Sequence, residues 1–274
     1  MARQDTNRAV LGIESSTAKS YPQSLKQREK KLAEAVLYDE NIDDDFPQAL
    51  VCSNTTNTGA AYTGAAAEVV AFQSGRYAYE IYQAAVAVAA IVMPFQSADG
   101  LELRPVAAAD ALELTNGVSA LSSAAYTVGS FPQGKSIFCQ VKFKIDDISD
   151  VTEIFYGFRK AEAYQADPDN YDEMCSFNVG LDLDGQIEIH TILNNTATVE
   201  TDTTLADWAD AGEHTLRIEL SPVGIASFQY DAAVPTVTAS FDFDNAEVLI
   251  PFFHMNSETG DPGVSISQWQ VGVM

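Results

Sequence analysis

Residues 212–230 read GEHTLRIELSPVGIASFQY, and their pattern decides the class of fold. Leu216, Ile218 and Leu220 alternate with Thr215, Arg217 and Glu219, the period-two pattern of a strand with one buried face. Ser221-Pro222-Val223-Gly224 then breaks the run. Proline presets φ for a turn, and glycine accepts backbone angles that are costly for other residues. Ala226, Phe228 and Tyr230 alternate again on the return, so the stretch predicts a β-hairpin.

The same grammar extends outward in both directions. Ile137, Cys139, Val141, Phe143 and Ile145 alternate with Phe138, Gln140, Lys142 and Lys144, the most regular strand in the chain. Ile154, Tyr156 and Phe158 form another run. Cys175, Phe177, Val179 and Leu181 form a third, joined at Asp184-Gly185 to a strand over 187–189. Residues 234–243 read as strand, and Val248, Ile250 and Phe252 alternate toward His254. Residues 264–273, carrying Trp269, make a final strand. Upstream, 65–72, 75–82, 84–93, 101–103 and 112–114 read as short strands, although alanine-rich 83–91 also suits a helix. Repeated strands, Gly and Asp turns and few helices predict a mainly β protein, a two-sheet antiparallel sandwich. Each buried Val, Ile or Phe contributes about 1.5–3 kcal/mol of transfer energy.

The N-terminal end differs in character. Residues 1–20 are polar and aperiodic, which predicts an extended arm. Ser24 and Gln27 after Pro22 make a capping box opening one helix that runs to about Tyr38. Its apolar residues are Leu25, Leu32, Ala35 and Val36, and such a short helix needs a surface to dock on. Residues 39–47, DENIDDDFP, form an acidic break. They lack the glycine a calcium loop needs for its bend, so they read as a linker. Three regions result: a basic arm, helix and linker over 1–48, a β-rich connecting region over 49–106, and the sandwich over 107–274.

Charge is unevenly spread. The chain of 274 residues has a formal net charge of −24, yet residues 1–31 hold seven of the fifteen Lys and Arg against three acids, a local +4. The remainder carries −28, which repels phosphate backbones and anionic lipid, so neither nucleic acid nor membrane is an expected partner. The longest mostly apolar stretch, 84–95, is too short to span a bilayer and contains Pro94. No apolar signal segment opens the sequence, and synthesis and folding in a host cytoplasm are expected.

Three cysteines cannot form a complete disulfide framework. Cys139 and Cys175 fall in phase with the apolar faces of their strands and read as buried thiols. No CxxC pair or Cys/His cluster points to a metal, and no cofactor motif is present. Retaining glycosidases on sandwiches present paired carboxylates, often as E-x-D-x-x-E. The acids here, Asp182, Asp184, Glu188, Asp242 and Asp244, do not make that pattern, and Asp184 belongs to a turn. His190, His214 and His254 sit singly in strands and read as structural. The sequence therefore predicts no enzyme. Trp208, Tyr164 and Tyr171 lie in or near loops, where they are either glycan-stacking platforms or edge packing.

Two resemblances add to this reading. Residues 212–218 resemble the G-x-W-H-T-L-x-I strand of concanavalin A-like and laminin-G-like jelly rolls. Phe228-Gln229-Tyr230-Asp231-Ala232 stands where those have an aromatic return ending in Asp-Gly. Here Glu213 replaces the tryptophan and Ala232 the glycine. Met93-Pro94-Phe95, Ala98-Asp99-Gly100-Leu101, Glu113-Leu114-Thr115-Asn116-Gly117, Tyr156-Gly157-Phe158-Arg159-Lys160, Leu249-Ile250-Pro251-Phe252 and Trp269-Gln270-Val271-Gly272 are similar to stretches of tailed-phage virion proteins that decorate or cement the head.

That resemblance implies a structural virion protein and a homo-oligomer, with the major capsid protein or other virion subunits as partners. Its basic arm would anchor to the shell through Arg3, Arg8, Lys19, Lys26, Arg28, Lys30 and Lys31, and its acidic sandwich would face solvent. A glycan-binding, lectin-like module of a virion fibre is the alternative, and a glycosidase comes third.

Overall fold

A computed structural model of the chain describes residues 125–258 and 262–274 continuously. Before them it describes 36–41, 51–52, 62–63, 68–74, 77–84, 90–91, 94–97, 99–104 and 111–116. Strands dominate. In chain order they are β1 (Val36–Asn41), β2 (Val51–Cys52), β3 (Tyr62–Thr63), β4 (Glu68–Ser74), β5 (Tyr77–Ala84), β6 (Ala90–Ile91), β7 (Phe95–Ser97), β8 (Gly100–Leu103), β9 (Ala111–Thr115) and β10 (Tyr126–Thr127). Then follow β11 (Ile137–Ile145), β12 (Val151–Lys160), β13 (Met174–Val179), β14 (Ile187–Ile192), β15 (Val199–Asp202), β16 (Glu213–Leu220), β17 (Ala226–Tyr230), β18 (Val248–Ser257) and β19 (Val264–Val273).

Two sheets form the body. A seven-stranded sheet runs β17-β16-β11-β19-β8-β7, with β1 also on β19. A ten-stranded sheet runs β15-β14-β13-β12-β18-β9-β5-β4-β2, with β10 also on β18. Each has a ten-residue spine whose second edge is divided between two shorter strands. In β19, β8 takes 264–266 and β1 takes 268–272, while β11 holds the other edge. In β18, β9 takes 252–256 and β10 takes 248–249, opposite β12.

Register turns the alternating apolar residues into one core. Ile137, Cys139 and Val141 of β11 and Leu216, Ile218 and Leu220 of β16 join Ile154, Tyr156 and Phe158 of β12 and Cys175, Phe177 and Val179 of β13. Trp269 lies at the centre, edge-on to Tyr156 at 5.6 Å, and its indole N–H donates to Asn116 Oδ1 at 2.7 Å. The chain is a two-sheet antiparallel β-sandwich, as the alternation predicts. The hairpin of the opening stretch pairs Leu216 with Tyr230, Ile218 with Phe228 and Leu220 with Ala226. Its turn closes by a 2.9 Å bond from Gly224 N to Ser221 O, and Gly224 sits at φ 91°, where a side chain would be strained.

One irregularity positions the site described below. Lys142 pairs with Gln268 but Phe143 pairs with Ile266, so Ser267 is an extra residue in β19. A bulge of this kind reverses the inside–outside parity of the strand. Val264 and Ile266 reach the core before it, and Trp269, Val271 and Val273 reach it after. The same shift leaves Gln268 and Gln270 together on the outer face.

Several stretches depart from the sequence reading. The end of the expected helix, 36–38, and the start of the expected linker, 39–41, form β1, because the open part of β19's edge satisfies their backbone groups. The rest of the arm, helix and linker lies outside the described residues. Residues 49–106 supply strands to both sheets, β4 and β5 to one and β7 and β8 to the other. Residues 234–243 make no strand. Pro235 withholds a donor, Val234 and Val237 are 66% and 39% exposed, and only a bridge from Ile225 to Asp242 forms. Leu181 leaves its strand for a 3-10 turn, Leu181–Leu183, ahead of Asp184 and Gly185, both at positive φ.

In β18 both faces are buried. Leu249, Phe253 and Met255 enter the main core, and Phe252 joins a second cluster with Phe155, Tyr171, Met174 and Ile192 on the opposite face.

Candidate functional site

The outer face of the seven-stranded sheet holds an open groove of about 550 Å³. It is lined by Gln140, Thr215, Arg217, Glu219, Gln229, Asp231, Ala232, Gln270 and Met274. Its floor follows from strand register. Gln270 pairs with Gln140, Gln140 with Arg217, and Arg217 with Gln229, so four polar side chains stand in one row across β19, β11, β16 and β17. Three inter-strand spacings make that row about 14 Å long. All four occupy outward positions of strands whose inward positions fill the core.

The row is held by its own hydrogen bonds. Gln140 Nε2 donates to Gln268 Oε1 and Gln270 Oε1, each at 3.2 Å, and Gln140 Oε1 accepts from Arg217 Nη1 at 3.3 Å. Arg217 Nε donates to Glu219 Oε1 at 2.7 Å, and Gln229 Nε2 donates to the same oxygen at 3.2 Å. The guanidinium lies 3.8 Å over the Phe138 ring, which is fully covered although it points away from the core. Asp231, at φ 47°, ends the groove. Its carboxylate meets His214 Nδ1 at 2.8 Å and accepts the Thr215 N–H at 2.8 Å. Beside the row, Lys142 pairs with Glu213, which also accepts from Ser267 at 2.6 Å. Burial would raise the Glu213 pKa, but these two donors hold it below the ordinary value.

The expected aromatic platforms stack on the protein itself. Trp208 is 2% exposed, lies 4.7 Å from Phe143 in the core and donates through its indole N–H to Gly212 O at 3.2 Å. Tyr171 is fully buried, and its hydroxyl donates to Glu113 Oε2. Tyr164 stacks on Tyr82 at 5.0 Å and donates to Glu80 at 2.9 Å. Both tyrosines belong to the 161–173 segment, which folds back over the outer face of the ten-stranded sheet. There they sandwich Arg159, whose guanidinium carbon is 4.4 Å from the Tyr171 ring and 5.1 Å from the Tyr164 ring. Loop position exposed none of the three as a platform. The expected capsid contacts Arg3, Arg8, Lys19, Lys26, Arg28, Lys30 and Lys31 lie outside the described residues.

Arg159 anchors a buried network. Its Nε and Nη2 donate to Glu113 Oε1 at 2.9 and 2.7 Å, with both side chains fully buried. Burial alone would raise the Glu113 pKa. The Arg159 guanidinium, with His254 and Tyr171, holds it below the ordinary value. His254 Nδ1 is 3.7 Å from Glu113, and His190 Nε2 is 2.9 Å from Glu188. Cys139 and Cys175 are free and fully buried, and burial pushes the Cys139 thiol up to about 12.

The groove's own residues carry weak sequence signals. Gln140, Arg217 and Glu219 are visible as the polar half of two alternating strands. The predicted hairpin sets Arg217 opposite Gln229, but nothing in the sequence sets Gln140 beside Arg217 or Gln270, because those pairings are long-range and a bulge lies in β19.

No family model matches the chain, and the curated proteins contain no match. Among solved structures, the potassium-bound carbohydrate recognition domain of Emp46p is 10% identical, with 62% of this chain and 82% of that one covered and a TM-score of 0.45. The alginate lyase PA1167 from Pseudomonas aeruginosa is 11% identical, covering 66% and 86%, with a TM-score of 0.43. The galectin LEC-6 from Caenorhabditis elegans is 14% identical, covering 57% and 99%, with a TM-score of 0.33. None of these three is a virion protein. At such identities and TM-scores the likeness carries no functional argument, and the site is read from its own geometry.

Proposed function

We propose that this protein is a glycan-binding module whose ligand lies along the groove on the seven-stranded sheet. The observation that carries the reading is the row Gln270–Gln140–Arg217–Gln229, four polar side chains in register, the first three hydrogen-bonded in sequence and Gln229 joined to Arg217 through Glu219. Carboxamides both donate and accept, which matches the hydroxyls of a sugar ring, and a row about 14 Å long spans more than one ring. The groove volume falls within the range of small-ligand sites. Binding rather than cleavage is the expected role, since Glu219 and Asp231 both serve as acceptors for fixed donors. With no aromatic side chain among the described residues that line the groove, hydrogen bonding dominates, and a Kd of about 1 mM, some −4 kcal/mol, is the expected scale for a short oligosaccharide.

An immobilised oligosaccharide panel tests the reading. The wild-type protein should retain a subset of glycans, and Gln140→Ala, which removes the centre of the row, should weaken retention by about ten-fold, or 1.4 kcal/mol. Retention unaffected by Gln140→Ala would place any glycan elsewhere.

A second reading rests on the charge split, +4 over residues 1–31 against −28 in the remainder. Here the protein is a subunit of a virion, its basic arm holding it to the major capsid protein or another virion subunit as a homo-oligomer. Deletion of residues 2–31 keeps β1 in place and should abolish incorporation into particles. Undiminished incorporation would refute the anchor.

A further inference from the structure

The described residues that line the groove carry a negative balance of charge. Among the described lining residues Arg217 is the one cation and Glu219 and Asp231 are the two carboxylates, a formal −1. The guanidinium is committed inward: Nε to Glu219, Nη1 to Gln140, Nη2 at 2.9 Å from Met274 Sδ, and its face on Phe138. Gln140 spends both N–H donors on Gln268 and Gln270. Toward the ligand stand Glu219 Oε2, whose partner oxygen takes both bonds from Arg217 and Gln229, and the carbonyl oxygen of Gln229. Among the other described cations Lys135 is exposed, and five are paired. Arg104, Lys142, Lys144, Arg159 and Lys160 each sit within 4 Å of a carboxylate.

Resting on the glycan-binding reading, we infer that the groove selects uncharged glycans and rejects anionic ones. Hydroxyl groups of a neutral sugar donate to Glu219 and Gln229. A uronate, sulfate or sialate carboxylate brought to the same place meets those acceptors, while Arg217 is paired with Glu219 and stacked on Phe138. One net negative charge roughly 10 Å from a ligand charge, at the effective dielectric of a protein surface, corresponds to about ten-fold weaker binding.

The test uses the full chain and matched immobilised oligosaccharides: neutral hexose oligomers and the same backbones carrying sulfate or uronic carboxyl groups. Wild type should retain neutral forms about ten-fold better at low salt. Salt of about 1 M, where the Debye length is near 3 Å, should narrow that ratio. Glu219→Gln, with its fold checked by its melting curve, removes the groove's net charge while changing the whole molecule's −24 by one unit. It should bring the ratio to within about three-fold if the repulsion is local. Equal or tighter wild-type binding of the anionic forms overturns the inference and leaves the glycan reading standing. A ratio unmoved by Glu219→Gln also overturns it, because the discrimination then comes from the molecule's overall charge. Retention of no glycan at all refutes the parent reading and this one with it.

Discussion

Glu113→Gln isolates the energetics of the buried network on the ten-stranded sheet. In the wild type, the Arg159 guanidinium is fully buried and has one carboxylate partner at 2.7 Å. Its Nη1 contacts the carbonyl oxygens of Lys160 and Glu162 at 2.9 and 3.3 Å. Replacing the carboxylate by an amide keeps the volume and leaves the cation without a counter-charge. Breaking a buried pair from one side costs about 3–5 kcal/mol, because the remaining charge stays desolvated. Urea unfolding followed by intrinsic fluorescence should therefore show a midpoint lowered by about that free energy divided by the m-value, with m unchanged.

The pH dependence supplies an independent check. Glu113 is a depressed group, below its ordinary 4.5 when folded. Its contribution is fully present above about pH 4.5 and is lost as pH falls through the folded value. Glu113→Gln has no such carboxylate, so its stability should fall less steeply than that of the wild type below that pH. The double variant Glu113→Leu, Arg159→Met should recover much of the loss, since a well-packed apolar pair removes both desolvated charges. A Glu113→Gln protein within about 1 kcal/mol of wild type at neutral pH, with the same acid slope, would refute the account.

Three further outcomes follow from burial and close packing. Trp208→Ala should cost about 3–5 kcal/mol in unfolding free energy and leave glycan retention intact once the protein is folded, the reverse of a stacking platform's behaviour. Gly157→Ala places a Cβ 2.0 Å from Cys175 O and 2.8 Å from Ser176 Cα, both backbone atoms, so a loss above about 3 kcal/mol or failure to fold is expected. Cys139 and Cys175 should resist a thiol-specific chromogenic reagent in the native state and react only as urea unfolds the chain. Rapid native labelling of either would contradict their burial.

The hairpin over 213–230 was legible because both of its determinants are local: a period of two and a Pro-Val-Gly turn. Sandwich class followed from repetition of that signal. Burial in loops was not legible. Trp208 and Tyr171 have loop neighbours, yet packing against Phe143 and beside Arg159 decides their role. Glu113 sits at an outward position of β9, where a carboxylate normally meets water. Its burial depends on the 161–173 segment lying over it, a tertiary event no alternation pattern records. The groove failed to appear for a related reason. Its row of four side chains exists only once β11, β16, β17 and β19 are in register, and Ser267 alters that register by one residue. The stretch over 234–243 shows the converse error, since it reads as strand yet leaves Val234 and Val237 exposed and makes only a bridge at Asp242.

The divided edge of β19 has a consequence for how the chain is made. The spine of the seven-stranded sheet is built from residues 264–273, while the strand that borders 268–272 is built from 36–41. During synthesis at about 5–20 residues per second, the segment carrying β1 emerges roughly 10–50 s before its partner. Over that interval β11 has β16 for a neighbour but not β19, and β8 has only β7. The seven-stranded layer is therefore closed by its last strand, which enters between partners already present. Nascent chains stalled before residue 264 should expose the apolar inner face of β11 and depend on chaperones that cover such surface.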